Sequence, residues 1–437
     1  MHRELAIALR ARVTWLVAAL AALLVGHGFV LAVDLFSSAS RSALAGSLQP
    51  REMDPLVGVV RPTLGVVDLA LVLLGPIVAA RVVSVEKERG SFGALCLQVG
   101  STTTVLLRKL LAAACATSLL VLPAAACLVA YRLAGGHVDP IETAVATLGE
   151  ILHLGVVVAV SIAAAAWTST FAQAAAVAVV FSLTSWMIDA GEGFAALAWL
   201  GRAEAWSVER HVAVFQRGVI GLGPIAWLLV ATAAAIALAI VGARIDLLIR
   251  RRAVVALSIS VIAIALLAAV GQVRRAYDWT EERRASLPPA VVAALRAVPA
   301  PIAVEVDLDR DDSRRRQLES DVLAKLLLTR PDADVAFPLD ARGDTAAGAH
   351  DGGYGRIVIR VGDALRETRS TSRKELVTLV LEAAGASSPD WTMPPYPGFP
   401  AVVEGTSRRV VALAAYGFFP LAFLGTGLVV SRRRTGR

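Results

Sequence analysis

The sequence predicts a polytopic α-helical membrane protein of about eight transmembrane helices with one extracytoplasmic α/β domain. Three observations lead there. Hydrophobic residues fill 56% of the 437 positions and charged residues only 18%. The apolar residues come in unbroken runs of roughly 20, the length a helix needs to cross a bilayer. Between the last two runs lies one long interval, 274–405, with the mixed composition of a soluble domain.

The runs fall at 13–33, 64–83, 106–131, 143–168, 171–190, 223–243, 253–273 and 409–431, and their Ala, Gly and Ser content suits helices that approach closely in lipid. The first run is long and is not followed by a small-residue cleavage site and a soluble domain, so a cleaved signal peptide fits poorly. Orientation follows the tendency of Lys- and Arg-rich short loops to stay in the cytoplasm. With the N-terminus inside, the inner segments hold sixteen cations, from Arg3 to Arg437, against nine in the short outer segments, although Arg408 and Arg409 run against the trend. Both termini are therefore expected in the cytoplasm. Residues 34–62 read as an outer loop with the turn-prone pieces "SSASRS" and "QPREMDP". In 190–222, Trp199, Trp206, Phe215 and several charges alternate with apolar residues, which predicts an amphipathic helix lying at the membrane interface.

In the soluble interval, "PIAVEVDLD" (301–309) alternates as a strand does, and 313–330 places Leu318, Val322, Lys325 and Leu326 at helical spacing. "DVAFPL" and "YGRIVIRVGD" (354–363) are further strands. "SRKELVTLVLEAAG" (372–385) is a helix opened by a Ser cap with Glu375 three residues on. The order strand, helix, strand, strand, helix predicts a small α/β domain. It holds 18 basic and 21 acidic residues, so the net charge of +7 belongs to the membrane part and marks topology instead of nucleic-acid binding. Cys96, Cys115 and Cys127 all lie in or beside the membrane part and are expected to pack inertly.

Several chemistries are missing. There is no G-x-x-x-x-G-K-[ST] phosphate loop, so the chain is not expected to hydrolyse ATP itself. The G-x-S-x-G, H-E-x-x-H and paired C-x-x-C patterns are absent too, and no two of the six histidines have metal-ligand spacing. No enzyme activity and no metal is expected. Ionisable groups inside apolar runs are costly and hence candidates. Glu150 and His153, three apart, share one helix face and can pair with each other or with a substrate. Asp68 and Asp189 read as lying near outer ends, where water reaches them. The acidic run "DLDRDDSRRR" lacks the ligand spacing of a calcium loop and reads as a solvated turn, and "HDGGYG" precedes a strand where a phosphate loop would precede a helix.

The remaining feature is a charged island between the second and third runs: Glu86, Lys87, Glu88, Arg89, Gly90 and Ser91, with Arg108 and Lys109 beyond it. Gly90 allows a sharp backbone turn before "SFGALCL" resumes an amphipathic pattern. The stretch "EKERGSFGALCLQVGSTTTVLLRKLL" resembles the segment that follows the second helix of ABC-2-type transporter permeases, a Glu-x-Glu-x-Gly-Thr pattern leading to a Gly-Lys-like pair. Ser91 stands where Thr is commoner, and Val99-Gly100 where Pro and an aliphatic residue are usual. A six-helix permease fits 1–245. A seventh helix (246–273), an outer α/β domain (274–405) and a last helix with a basic tail (406–437) resemble the accessory component of gliding-motility-type ABC systems, on phrases such as "SLPPAVVAALRAVPAPIAVEV" and "YGRIVIRVGDALRE".

The resemblance implies a permease subunit that works as an exporter, placed in the bacterial inner membrane. It implies a separate ATPase subunit as the partner that binds ATP, no cofactor on this chain, and pairing with a second copy or a related permease. It also implies that the island, with Lys109, couples nucleotide-driven movement to the helices, so that Glu86→Ala with Glu88→Ala uncouples without unfolding. The alternative is a non-transporting membrane scaffold or sensor whose outer domain binds a ligand.

Overall fold

The computed structural model describes residues 2–46, 53–190, 203–244, 246–309, 312–339, 354–387, 389–392 and 396–432. In chain order the helices are α1 (His2–Arg10), α2 (Arg12–Leu44), α3 (Leu56–Glu88), α4 (Ser91–Val99), α5 (Thr102–Thr117), α6 (Leu122–Leu133), α7 (Pro140–Trp167), α8 (Phe171–Ala190), α9 (Val208–Phe215), α10 (Leu222–Ala243), α11 (Ile249–Val270), α12 (Pro289–Ala297), α13 (313–329), α14 (Arg373–Ala383) and α15 (Gly405–Ser431). With α5 and α6 counted as one span, eight of these segments are long and apolar enough to cross a membrane. The chain is a helical, multi-pass membrane protein.

The helices α3 and α7 form the centre of the bundle. The first packs on α2, α5, α7 and α8, the second also on α9 and α10. By contrast α11 lies along α10 with none of its residues buried, and α15 lies along α2. The span formed by α5 and α6 is interrupted at Ser118–Leu120, just before Pro123, which cannot donate to the helical ladder.

Two local expectations need correction. The "SSASRS" piece is not a loop, because α2 continues to Leu44. Ser37 and Ser40 are buried there, and their hydroxyls accept the backbone N–H groups of Val403 and Ala401, each at 3.0 Å. The returning chain thus stabilises two further turns of helix. Second, α9 does not lie on a surface: Val208, Glu209, Val212 and Phe215 are buried against α7, α8 and α10. Trp206 is exposed, whereas Trp199 lies outside the described residues.

Residues 274–405 hold a four-stranded mixed sheet. Its strands are β3 (Ile302–Val306), β4 (Asp334–Ala336), β5 (Ile357–Val361) and β6 (Ala364–Thr368), in the order β4-β3-β5-β6, with only β3 and β4 parallel. Alternation in β3 buries Ile302, Val304 and Val306, which pack with Leu318, Val322 and Leu326 of α13 and with Leu376, Val377 and Val380 of α14. The sequence reading lacks β6 and α12. The first has the burial pattern of an edge strand, with Leu365, Arg366 and Glu367 exposed, so no apolar alternation announces it. The helix α14 begins where expected, but Ser372 makes no side-chain cap; Glu375 accepts instead from the Thr368 hydroxyl at 2.7 Å.

The sheet unit is docked on one end of the bundle. A two-stranded ribbon joins β1 (Val219–Gly221) to β2 (Ala276–Asp278). Arg284 pairs with Asp54 ahead of α3 and with Glu142 of α7. Burial opposes its charge, but the two carboxylates outweigh that and hold the Arg284 pKa above its ordinary value.

Candidate functional site

Two clusters of buried charge sit at opposite ends of the bundle. The first is the island at the α3–α4 junction. Gly90 adopts φ of +69°, a left-handed conformation that costs a residue with a Cβ, and it turns the chain from α3 into α4. The preceding charges are not free. Lys87 Nζ donates to three carbonyls, Ala165 and Ala166 at 2.8 Å and Thr168 at 2.6 Å, and so satisfies the orphan acceptors at the end of α7. The Glu88 carboxylate accepts the backbone N–H of Phe171 at 2.6 Å, at the start of α8.

Lys109 on α5 is fully buried and reaches Glu4 of α1 at 2.8 Å and Glu86 at 2.7 Å. The Ser91 hydroxyl donates to the Glu86 carbonyl at 3.3 Å. Arg89, Gly90 and Ser91 are exposed, and so are Ala94, Leu97 and Gln98 on one side of α4, while Phe92 is buried on the other. Of the residues singled out in the sequence, Glu86, Lys87, Glu88 and Lys109 therefore bind helix ends together, and Glu88 to Ser91 with one side of α4 present a surface.

The second cluster lies inside the bundle near the docked sheet unit. His153 Nδ1 is 2.7 Å from Asp68 Oδ1, and Gln216 Nε2 donates to Asp68 Oδ2 at 2.7 Å and to Glu150 Oε1 at 2.9 Å. His153 Nε2 stands 4.0 Å from Glu209, whose other oxygen accepts from Ser185 at 2.5 Å and Ser207 at 3.1 Å. Glu150 and His153 do share one face of α7, as their spacing predicts, yet each bonds to a residue from another helix. Asp68 needs correction: it is buried and bonded, not hydrated at an outer end. Asp189 takes no part in these bonds.

Close packing brings the cluster together. A Cβ on Gly149 would come within 2.7 Å of Phe215, so glycine there lets α9 press against α7 and sets Gln216 over Glu150. Gln216, Glu209 and Ser185 are not among the candidates that the sequence offers. The signal available was slight: single polar residues within apolar stretches, with nothing to show that they meet.

Gln216 also lines a cavity of about 440 Å³ between the bundle and the sheet unit, with Arg61, Arg217, Arg274 and Lys325 among its other walls. Burial, with Arg373 adding repulsion, lowers the Lys325 pKa, and Asp321 at 3.2 Å acts against that shift. The acidic turn before α13 is a helix cap: Asp312 accepts the Arg314 N–H at 2.9 Å and pairs with its guanidinium. Asp311 and residues 350–353 lie outside the described residues.

The chain matches no protein-family model, no curated protein and no solved structure.

Proposed function

We propose that this chain is the membrane permease subunit of an ABC-2-type transporter, driven by a separate ATPase subunit and paired with a second copy or a related permease. In this reading the α4 end faces the bacterial cytoplasm, with both termini, and the sheet unit faces outward to meet cargo or an envelope partner. ATP is bound by the partner, and this chain contributes no catalytic residue.

The observation that carries the reading is the construction of the α3–α4 junction. A short amphipathic helix is anchored by Phe92, exposes Leu97 at 86% of its surface, and is joined through Lys87 and Glu88 to the ends of α7 and α8. A force on α4 therefore passes into at least four helices, since α3 and α5 flank it directly. In this reading Leu97 is the apolar side chain that the ATPase subunit covers. The cavity between bundle and sheet unit lies where cargo leaving the helices would meet the outer unit.

The test is to purify the tagged protein from its native cells in mild detergent and identify its stoichiometric companions by mass spectrometry. A companion with a phosphate-loop ATPase is expected. Leu97→Asp should release that companion while changing unfolding stability by no more than about 0.5 kcal/mol, as surface substitutions do. An intact preparation that reproducibly lacks an ATPase, or a Leu97→Asp protein that keeps it, overturns the assignment. The Glu86→Ala, Glu88→Ala pair separates folding from coupling less cleanly, because Glu86 is a counter-ion of buried Lys109.

A further inference from the structure

We propose that Asp68, Glu150 and His153 form a binding site for one divalent transition-metal cation of the Zn²⁺ or Mn²⁺ kind, inside the helix bundle. One ligand atom from each of the three lies within 4.8 Å of the others, and all three residues are buried. Glu150 and His153 have the Glu-x-x-His spacing by which bundle proteins direct a carboxylate and an imidazole at one ion from a single helix. Asp68 supplies the third ligand from α3.

Charge makes the case stronger. Among the described residues, Asp68 and Glu150 face each other, and the other hydrogen bonds and ion pairs of Asp68, Glu150 and Glu209 run to His153, Gln216, Ser185 and Ser207, and to no lysine or arginine. Three carboxylates share one imidazole in a site shielded from water. Buried charge of one sign is strongly unfavourable unless a cation or protons neutralise it. Glu150 is fully buried, and its Oε2 has no hydrogen-bond partner even though Gln216 occupies Oε1. A buried carboxylate oxygen left open beside an aspartate and a histidine is a ligand position.

The surrounding residues behave as supports for such a site. Gln216 holds Asp68 and Glu150 side by side, and Ser185 and Ser207 fix Glu209. Outer hydrogen bonds of this type orient metal ligands. Two carboxylates and an imidazole suit Zn²⁺, Mn²⁺ or Fe²⁺; the absence of sulfur from the set disfavours Cu(I), and Ca²⁺ and Mg²⁺ prefer all-oxygen cages. Arg61 and Arg217 line the same cavity as Gln216, and their charge opposes entry of a cation from that side, so exchange by that side should be slow.

The experiment uses the full chain purified without added metal, analysed for elements, then stripped with a chelator and reloaded separately with Zn²⁺ and Mn²⁺. About one metal ion per chain is expected, with a rise in melting temperature on reloading. Glu150→Gln and His153→Gln should each weaken reloading at least tenfold. Glu4→Gln, a buried carboxylate at the other end of the bundle, should leave it unchanged. Each variant is compared with wild type by gel filtration and by melting in chelator, so that loss of fold is not mistaken for loss of a ligand. The wild-type protein decides the matter even if a variant fails. Metal in fewer than about one chain in ten, with no shift in melting on adding either ion, overturns the proposal, and an infrared band of a protonated carboxyl lost in Glu150→Gln would identify a shared proton in its place.

Discussion

Both ends of the bundle bury charged side chains, but they balance them differently. At the α4 end, Lys109 lies between Glu4 and Glu86, Lys87 caps the carbonyls of α7, and Glu88 caps the amides of α8. Each of these side chains has an opposite charge or a helix end as partner. At the other end, among the described residues, Asp68 and Glu150 face each other, and with Glu209 they bond to an imidazole, an amide and two hydroxyls. The first arrangement is complete in itself and joins helices. The second sets three carboxylates against one imidazole.

That contrast predicts opposite signs for removing charge. Lys109→Met leaves the Glu4 and Glu86 carboxylates without their cation and should destabilise the protein by about 3 to 5 kcal/mol in thermal or denaturant unfolding. Adding Glu4→Gln and Glu86→Gln to it should recover most of the loss. A Lys109→Met protein as stable as wild type would show that the triad is hydrated, and the comparison would fail.

In the acidic cluster, Glu150→Gln relieves the crowding of two buried carboxyl groups at Asp68 and should stabilise the metal-free protein by about 1 to 2 kcal/mol, measured in excess chelator. Destabilisation there would mean that Glu150 already has a positive partner.

The smallest effect is expected outside the membrane part. Asp312 caps α13, and its bond to Arg314 holds its pKa down at about 2. The ordinary value for an unfolded chain is about 3.9. Because the folded value is the lower one, the stabilisation is complete above about pH 4 and is lost as pH falls through about 2. Asp312→Ala should cost about 1 kcal/mol, equally at pH 7 and pH 5, and less at pH 3. A penalty that grows on acidification would contradict the cap. The comparison is sharpened because this carboxylate, unlike those of the acidic cluster, has a guanidinium of its own.

Local pattern explains how much of this was legible. The eight apolar runs each mark a membrane-length helix, since length and hydropathy need no knowledge of neighbours. Strand β3 and helix α13 were visible because each buries one face, at period 2 and near period 3.6. The turn at Gly90 was visible because only glycine adopts its backbone conformation cheaply. The continuation of α2 through "SSASRS" was not, since its serines are held by Ala401 and Val403, more than 360 residues away. Edge strand β6 escaped because its residues face solvent on both sides.

The sequence by itself determined that the chain holds about eight membrane-length helices, that a sheet unit lies between the last two, and that Glu150 and His153 face the same way. Only the tertiary structure decided what those residues meet. Asp68 lies 82 positions before Glu150 and Gln216 lies 66 after it, and contact between them depends on how α3, α7 and α9 cross. It likewise turned the charged island from a presented surface into a set of ties between helices, leaving α4 to face a partner. Spacing along one helix fixes which residues share a face, whereas the partners across that face are set by packing, which no local pattern encodes.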